Sequence, residues 1–215
     1  MVDVKICGLS TLESVDAAIE AGAALVGLVF FPRSPRNVSL QQAKLLAGHA
    51  RGRVKIVALI VDADDVLLRE INDVVAPDLY QAHGSETPQR VTEIHKLTGK
   101  PVIKAIKVAG SSDIAKAAGY TGKASLILYD AKAPETLVNA LPGGNGLAFD
   151  WTLLGGPGQT EGFILSGGLT PENVARAVRV TGAPIVDVSS GVESAPGIKD
   201  LSLIRKFIEA ARAAR

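Results

Sequence analysis

The chain is poor in aromatic residues and in cysteine: 4% of its 215 residues are Phe, Trp or Tyr, and Cys7 is the one cysteine. A lone cysteine excludes an internal disulfide, so the core must hold the fold, and a reducing compartment suits it. An excess of one charge is also lacking, with 23 Lys and Arg against 22 Asp and Glu. No basic stretch could track a phosphate backbone, which argues against a nucleic-acid partner. Long apolar runs are missing too. The longest, Ala21 to Phe31, has eleven residues, two of them glycine, well short of the roughly 18 that span a bilayer. The start, Met-Val-Asp-Val-Lys, has no apolar core of a secretion signal. No membrane and a cytoplasmic location are therefore expected, and Asn37-Val38-Ser39 reads as an accidental glycosylation sequon.

What the chain does have is 47% hydrophobic residues, and with few aromatics these are Val, Ile, Leu and Ala. That mixture suits β-branched parallel strands covered by Ala-rich helices. Apolar periodicity predicts strands at Val4 to Gly8, Leu25 to Phe30, Val54 to Val61, Leu79 to His83, Val102 to Val108, Ser125 to Asp130, Phe163 to Ser166 and Ile185 to Ser189. Between and after them it predicts helices at Thr11 to Ala21, Leu40 to Ala50, Asp64 to Val75, Pro88 to Leu97, Ser112 to Ala118, Pro171 to Val180 and Leu201 to Ala214, with a weak eighth at Trp151 to Leu154. Dividing 215 by eight leaves about 27 residues per strand–helix unit, enough for a minimal βα repeat. The expected fold is an α/β single-domain (β/α)8 TIM barrel spanning 1–215, near the short end of that fold's roughly 200 to 400 residues. A doubly wound open sheet is the alternative, because periodicity does not show closure.

In a parallel barrel the reactive groups lie where strands end and loops begin. Alternation along the first strand places Lys5 and Cys7 on one face, toward the barrel axis, and Val4 and Ile6 on the other. The same reasoning turns Gln81 with His83, Leu128 with Asp130, and Asp187 with Ser189 inward. Ser166-Gly167-Gly168 and Ser189-Ser190-Gly191 follow the last two strands. Each alone could be a tight turn, but two adjacent glycine-rich loops favour a bound phosphate, since glycine lets backbone N–H groups approach an anion. The helix after the first is expected to open at Thr170-Pro171-Glu172 with Thr170 as its cap.

Asp130 could cap a helix, but Ala131 to Phe149 shows no helix or strand pattern and contains Gly143-Gly144-Asn145-Gly146. A connection that long reads as a lid. An acid at its base would be shielded from water on closure, which favours the protonated form a general acid needs. Cys7 is either a small buried hydrophobe or, beside Lys5, partly a thiolate acting as base or nucleophile. Arg36 is either a solvated loop charge or a bidentate grip on a carboxylate. His83 could be a satisfied core histidine. The histidines have no ligand spacing, so no metal is expected, and neither a P-loop nor a dinucleotide fingerprint is present.

In order along the chain, Val4-Lys5-Ile6-Cys7-Gly8-Leu9, Phe30-Phe31-Pro32-Arg33-Ser34-Pro35-Arg36, Gln81-Ala82-His83-Gly84, Gly143-Gly144-Asn145-Gly146 with Phe149-Asp150-Trp151, Ser166-Gly167-Gly168-Leu169 and Asp187-Val188-Ser189-Ser190-Gly191-Val192-Glu193 resemble the phosphoribosylanthranilate isomerases of tryptophan biosynthesis. The resemblance implies a (β/α)8 barrel that carries out an Amadori rearrangement without a cofactor. By role it implies Asp130 as general acid on the furanose ring oxygen and Cys7 as general base at C2 of the sugar. Arg36 would hold the anthranilate carboxylate, and backbone groups of Gly167, Gly168, Ser190 and Gly191, beside Ser189, would hold the phosphate. Lys5, His83 and Asp187 are the remaining candidates for substrate contact. The family usually has Leu where Ala82 stands and Thr where Asn145 stands. The expected partner is a small phosphorylated molecule, and the expected state a monomer or homodimer.

Two other phosphosugar barrels are weighed against this. A histidine-pathway isomerase would be expected to place Asp where Cys7 stands, and indole-glycerol-phosphate synthase to use a Lys and Glu set with a longer N-terminus. A non-catalytic phosphate-binding barrel would have no need of both Cys7 and Asp130.

Overall fold

A computed structural model describes residues 1–134, 141–154 and 162–214. Eight parallel strands close into a barrel in chain order: β1 (Asp3–Cys7), β2 (Leu25–Phe30), β3 (Lys55–Ile60), β4 (Leu79–Ala82), β5 (Val102–Val108), β6 (Leu126–Ala131), β7 (Phe163–Leu165) and β8 (Ile185–Val188). The helices outside are α1 (Leu12–Ala21), α2 (Leu40–Ala50), α3 (Asp65–Val74), α4 (Pro88–Thr98), α5 (Ser111–Ala115), α6 (Val174–Thr181) and α7 (Leu201–Arg212). The closed order excludes the open sheet.

Most helices start where a short polar side chain can accept from an otherwise unpaired N–H. Thr11 caps α1 in a reciprocal pair with Ser14, and Ser39, Asp64, Thr87 and Asp200 accept from the first turns of α2, α3, α4 and α7. Helix α6 departs from expectation. It begins at Val174, not Pro171, and Thr170 contributes its carbonyl rather than a side-chain cap. The reason lies in Asn173, whose side chain accepts from Thr170 N at 2.8 Å and donates to Gly168 O at 2.9 Å, closing a turn before the helix can start. Helix α5 runs on as a 3-10 turn, Lys116–Tyr120, and another 3-10 turn, Trp151–Leu154, stands at the weak eighth helix. A hairpin of two short strands, β9 (Glu193–Ala195) and β10 (Ile198–Lys199), follows β8 and was not foreseen.

Two apolar cores follow from the alternation. Val4, Ile6, Val186 and Val188 join the larger one between barrel and helices, whereas Leu25, Val57, Ile103, Ala105, Leu128 and Ile164 fill the barrel interior. The inward phase of β1 and β8 therefore carries Lys5, Cys7 and Asp187, as expected.

Candidate active site

The strand ends surround a cleft. Cys7, Arg36, His83, Asp130, Gly167, Gly168, Asp187, Ser189, Ser190 and Gly191 all line it. Lys5 does not; it is fully buried, and its register opposite Asp187 lets its ammonium reach that carboxylate at 2.8 Å. Ser166 Oγ donates to the other Asp187 oxygen at 3.1 Å. Cys7 sits opposite Gly27, where a Cβ would lie 2.8 Å from its Sγ and 3.2 Å from Lys5 Nζ. Only glycine there leaves room for the two side chains together.

Of the two alternatives for Cys7, this arrangement favours the protonated thiol at rest. Burial pushes the Cys7 thiol up, Lys5 draws it down, Asp187 pushes it up again and Lys199 draws it down, leaving it above its ordinary value. Lys5 is spent on Asp187: burial disfavours its ammonium, yet Asp187, and then Cys7, hold it above the usual lysine value.

Across the cleft, Asp130 Oδ2 lies 3.1 Å from His83 Nε2, and its Oδ1 accepts from Ala131 N at 3.0 Å. Gln81 Nε2 lies 2.8 Å from His83 Nδ1; a neutral ring accepting there carries its proton on Nε2, aimed at Asp130, and leaves Gln81 Oε1 without a hydrogen-bond partner among the described residues. The turn carrying His83 is tied down by Glu86, which accepts from Gly84 N and Asp62 N and pairs with the buried Lys104 at 2.7 Å.

Arg36 is buried, so it is not the solvated loop charge of the first alternative, and its Nε–Nη2 edge is already taken. Glu193 occupies that edge, accepting from Nε at 2.7 Å and from Nη2 at 2.8 Å. Lys199 Nζ donates to the same Glu193 at 2.7 Å and to Ser189 O at 2.8 Å, while Ser189 Oγ is spent on Cys7 O at 3.1 Å. Burial disfavours charge on both members of the hairpin pair. The Glu193 carboxyl is nevertheless held below its usual value by Arg36 and Lys199, and the Lys199 ammonium falls below its own although Glu193 and Cys7 oppose the fall.

The segment read as a lid lies against these groups where it is described. A Cβ on Gly143 would sit 2.6 Å from His83 Nε2 and 2.9 Å from Asp130 Oδ2, and Gly144 O accepts from Arg36 Nη2 at 3.3 Å. Asn145 closes the turn, accepting from Leu141 N and donating to Leu141 O. Residues 135–140 of this connection lie outside the described residues. On the remaining wall, Gly167 (φ 88°) and Gly168 (φ 61°) take left-handed backbone that side chains rarely adopt. Among the described residues the N–H groups of Gly167, Gly168, Ser190 and Gly191 have no acceptor. Four such donors on two adjacent loops are the chemistry an anion would require.

A sequence profile described as N-(5′-phosphoribosyl)anthranilate (PRA) isomerase matches residues 4–210. The chain belongs to this isomerase family. A protein named N-(5′-phosphoribosyl)anthranilate isomerase from Parvibaculum lavamentivorans is 52% identical over 213 residues, 99% of each chain. One of the same name from Rhizobium meliloti is 51% identical over 212 residues, 99% of this chain and 98% of its own. The crystal structure of phosphoribosyl anthranilate isomerase from Thermotoga maritima is similar with a TM-score of 0.88 at 36% identity, covering 99% of this chain and 100% of that one. A solved isomerase in complex with reduced 1-(o-carboxyphenylamino)-1-deoxyribulose 5-phosphate gives 0.85 at 34% identity, with the same coverage.

Three residues of this isomerase-family site escaped sequence reasoning as contributors. Gln81 was placed inward without a role, Glu193 closed a quoted motif without one, and Lys199 was not singled out. For Glu193 the signal was its place directly after the Ser-Ser-Gly loop. For Lys199 no local pattern pointed to the cleft.

Proposed function

We propose that this chain catalyses the Amadori rearrangement of N-(5-phosphoribosyl)anthranilate to 1-(2-carboxyphenylamino)-1-deoxyribulose 5-phosphate, a step of tryptophan biosynthesis. The observation that carries this reading is the facing of Cys7 and Asp130 across one cleft, with an unoccupied row of N–H donors on a third wall. One proton must reach a ring oxygen while another leaves the neighbouring carbon, so the reaction needs an acid and a base at separate points.

In this reading Asp130 delivers its proton to the furanose oxygen as the C1–O bond breaks, and the nitrogen lone pair forms the C1=N bond of a Schiff base. The Cys7 thiol first gives its proton to solvent; the thiolate Sγ then takes the proton from C2, the C–H electrons forming the C1=C2 bond and the C1=N electrons returning to nitrogen in an enolamine. That species tautomerises to the ketone product. Lys5 and Lys199 stabilise the thiolate when it forms, which gives Lys5 a supporting place beneath the site instead of a contact with substrate. His83 Nε2–H orients Asp130, and Asp187 holds Lys5 in place.

The four N–H groups of Gly167, Gly168, Ser190 and Gly191 take the phosphate, with Ser189 bracing that loop against Cys7. Val29, Phe31, Leu59 and Val61 give the aryl ring an apolar wall, and Arg36 takes its carboxylate through the guanidinium end that Glu193 leaves free. The whole chain, 1–215, works as one barrel domain, as a monomer or homodimer in the cytoplasm, where its single thiol stays reduced. A similar solved structure, at 34% identity, is described as mutually generated monomers of dimeric phosphoribosylanthranilate isomerase from Thermotoga maritima. Among the described residues no helix is long and apolar enough to cross a membrane.

The test is direct. Purified protein mixed with freshly made phosphoribosylanthranilate should accelerate the loss of anthranilate fluorescence. A rate equal to that in buffer would end this reading.

A further inference from the structure

Arg36 is fixed on more sides than a surface guanidinium requires. Glu193 holds its Nε and Nη2, Gly144 O takes a second proton of Nη2, and a Cβ on Gly8 would press on its Cδ at 2.7 Å. Nη1 has no acceptor among the described residues, and the side chain lines the cleft. Behind it the charges do not balance. Arg36 and Lys199 share the single carboxylate of Glu193, two cations to one anion, and all three side chains are at most 6% exposed. The neighbouring Lys5–Asp187 pair, by contrast, is one to one.

A buried charge cluster is a poor device for stability, because desolvation offsets most of the attraction. An unbalanced one creates a field, and here that field ends on a guanidinium turned to the cleft. Gly197 locks the hairpin into this role. Its N–H donates to Glu193 Oε2 at 3.2 Å, its φ is 83°, and a Cβ there would meet Pro35 O at 2.5 Å, directly before Arg36 in the chain.

We propose that Glu193 and Lys199 are positioning residues that set specificity for an anionic aryl group. Glu193 fixes the direction of the free guanidinium end, and Lys199 answers Glu193 so that the corner keeps one positive charge in excess. The site then selects a phosphoribosyl arylamine whose ring carries a carboxylate over the same sugar with an uncharged ring. This rests on Arg36 taking the substrate carboxylate, as proposed above.

The experiment compares kcat/KM for N-(5-phosphoribosyl)anthranilate and for N-(5-phosphoribosyl)aniline, which lacks only the carboxylate. Their ratio is unaffected by partial unfolding or by any change at Cys7, because both substrates need the same acid and base. Lys199→Met removes the balancing charge, and Glu193→Asp keeps the charge but withdraws it from the guanidinium. Each should lower the ratio about tenfold or more, and Arg36→Met should lower it at least as far. Should Lys199→Met fail to fold, Lys199→Gln makes the same comparison. A ratio within about twofold of wild type in both hairpin variants, with Arg36→Met still losing it, overturns the positioning role alone. A ratio preserved in Arg36→Met overturns the carboxylate reading itself.

Discussion

Cys7 and Asp130 face one cleft from β1 and β6, both nearly buried, yet their surroundings differ in kind. Around Cys7 stand Lys5, Asp187 and Lys199, whose charges pull its thiol in opposite directions. Around Asp130 stands a short chain of hydrogen bonds, Gln81 to His83 to Asp130, with one imidazole as its side-chain partner. A buried base that must be an anion until it takes its proton needs cations held ready but already paired. An acid that must release a proton in one direction needs orientation more than field. The contrast predicts that charge changes act on the Cys7 side and tautomer changes on the Asp130 side.

The coarsest way to break the contrast is to remove the groups themselves. Asp130→Asn and Cys7→Ser should each lower kcat about 10²- to 10⁴-fold, the usual worth of a positioned acid or base, with KM much less affected. Near-normal turnover in either variant takes that residue out of the mechanism. Next comes Lys5→Met, which leaves Asp187 buried with Ser166 as its remaining side-chain partner. Denaturant unfolding should show a loss of about 3–5 kcal/mol, the cost of stranding one member of a buried ion pair. A loss below about 1 kcal/mol would mean that the Cys7 side is not organised around this pair.

A smaller effect is expected on the other side. Gln81→Met removes the donor that assigns the His83 ring proton to Nε2, so part of the population carries it on Nδ1 and no longer aims a donor at Asp130. Turnover should fall about tenfold while thermal unfolding changes little, and the loss should reappear with the aniline-derived substrate. An unchanged kcat would show that Asp130 needs no orienting partner.

These differences explain what could be read before the structure. Strand order and inward phase depend on side-chain alternation and on where apolar runs stop, both local properties, so Lys5, Cys7, Asp130 and Asp187 were placed on the correct faces. The ionisation of Cys7 could not be read from Lys5 alone, because burial and Asp187, 182 residues from Lys5, both raise the thiol and neither shows in the local sequence. The hairpin was missed for a related reason. Strands of three and two residues are too short to show a period of two, and Glu193 meets Arg36 from 157 residues away. The start of α6 failed on a local competition: Thr170-Pro171 is a sound cap signal, but the Asn173 side chain captured the same turn first. Fold was legible where physics is local, and the site's charge balance was not, because closure of the barrel sets it.

The finest probe of the contrast is the titration of Cys7. Burial raises its folded value, with Asp187 adding to the rise and Lys5 and Lys199 opposing it, so thiolate absorbance in the native protein should develop only above the ordinary thiol value of about 8.5. The unfolded chain would release that proton first. Native stability should therefore decline as pH rises past about 8.5, since the folded state there binds more protons than the unfolded one. Removing one opposing cation in Lys199→Met should move the native midpoint further up, whereas Gln81→Met, across the cleft, should leave it in place. A midpoint at or below the ordinary value in the native protein would mean that the cations outweigh burial and Asp187, and the two flanks would then differ less than their geometry implies.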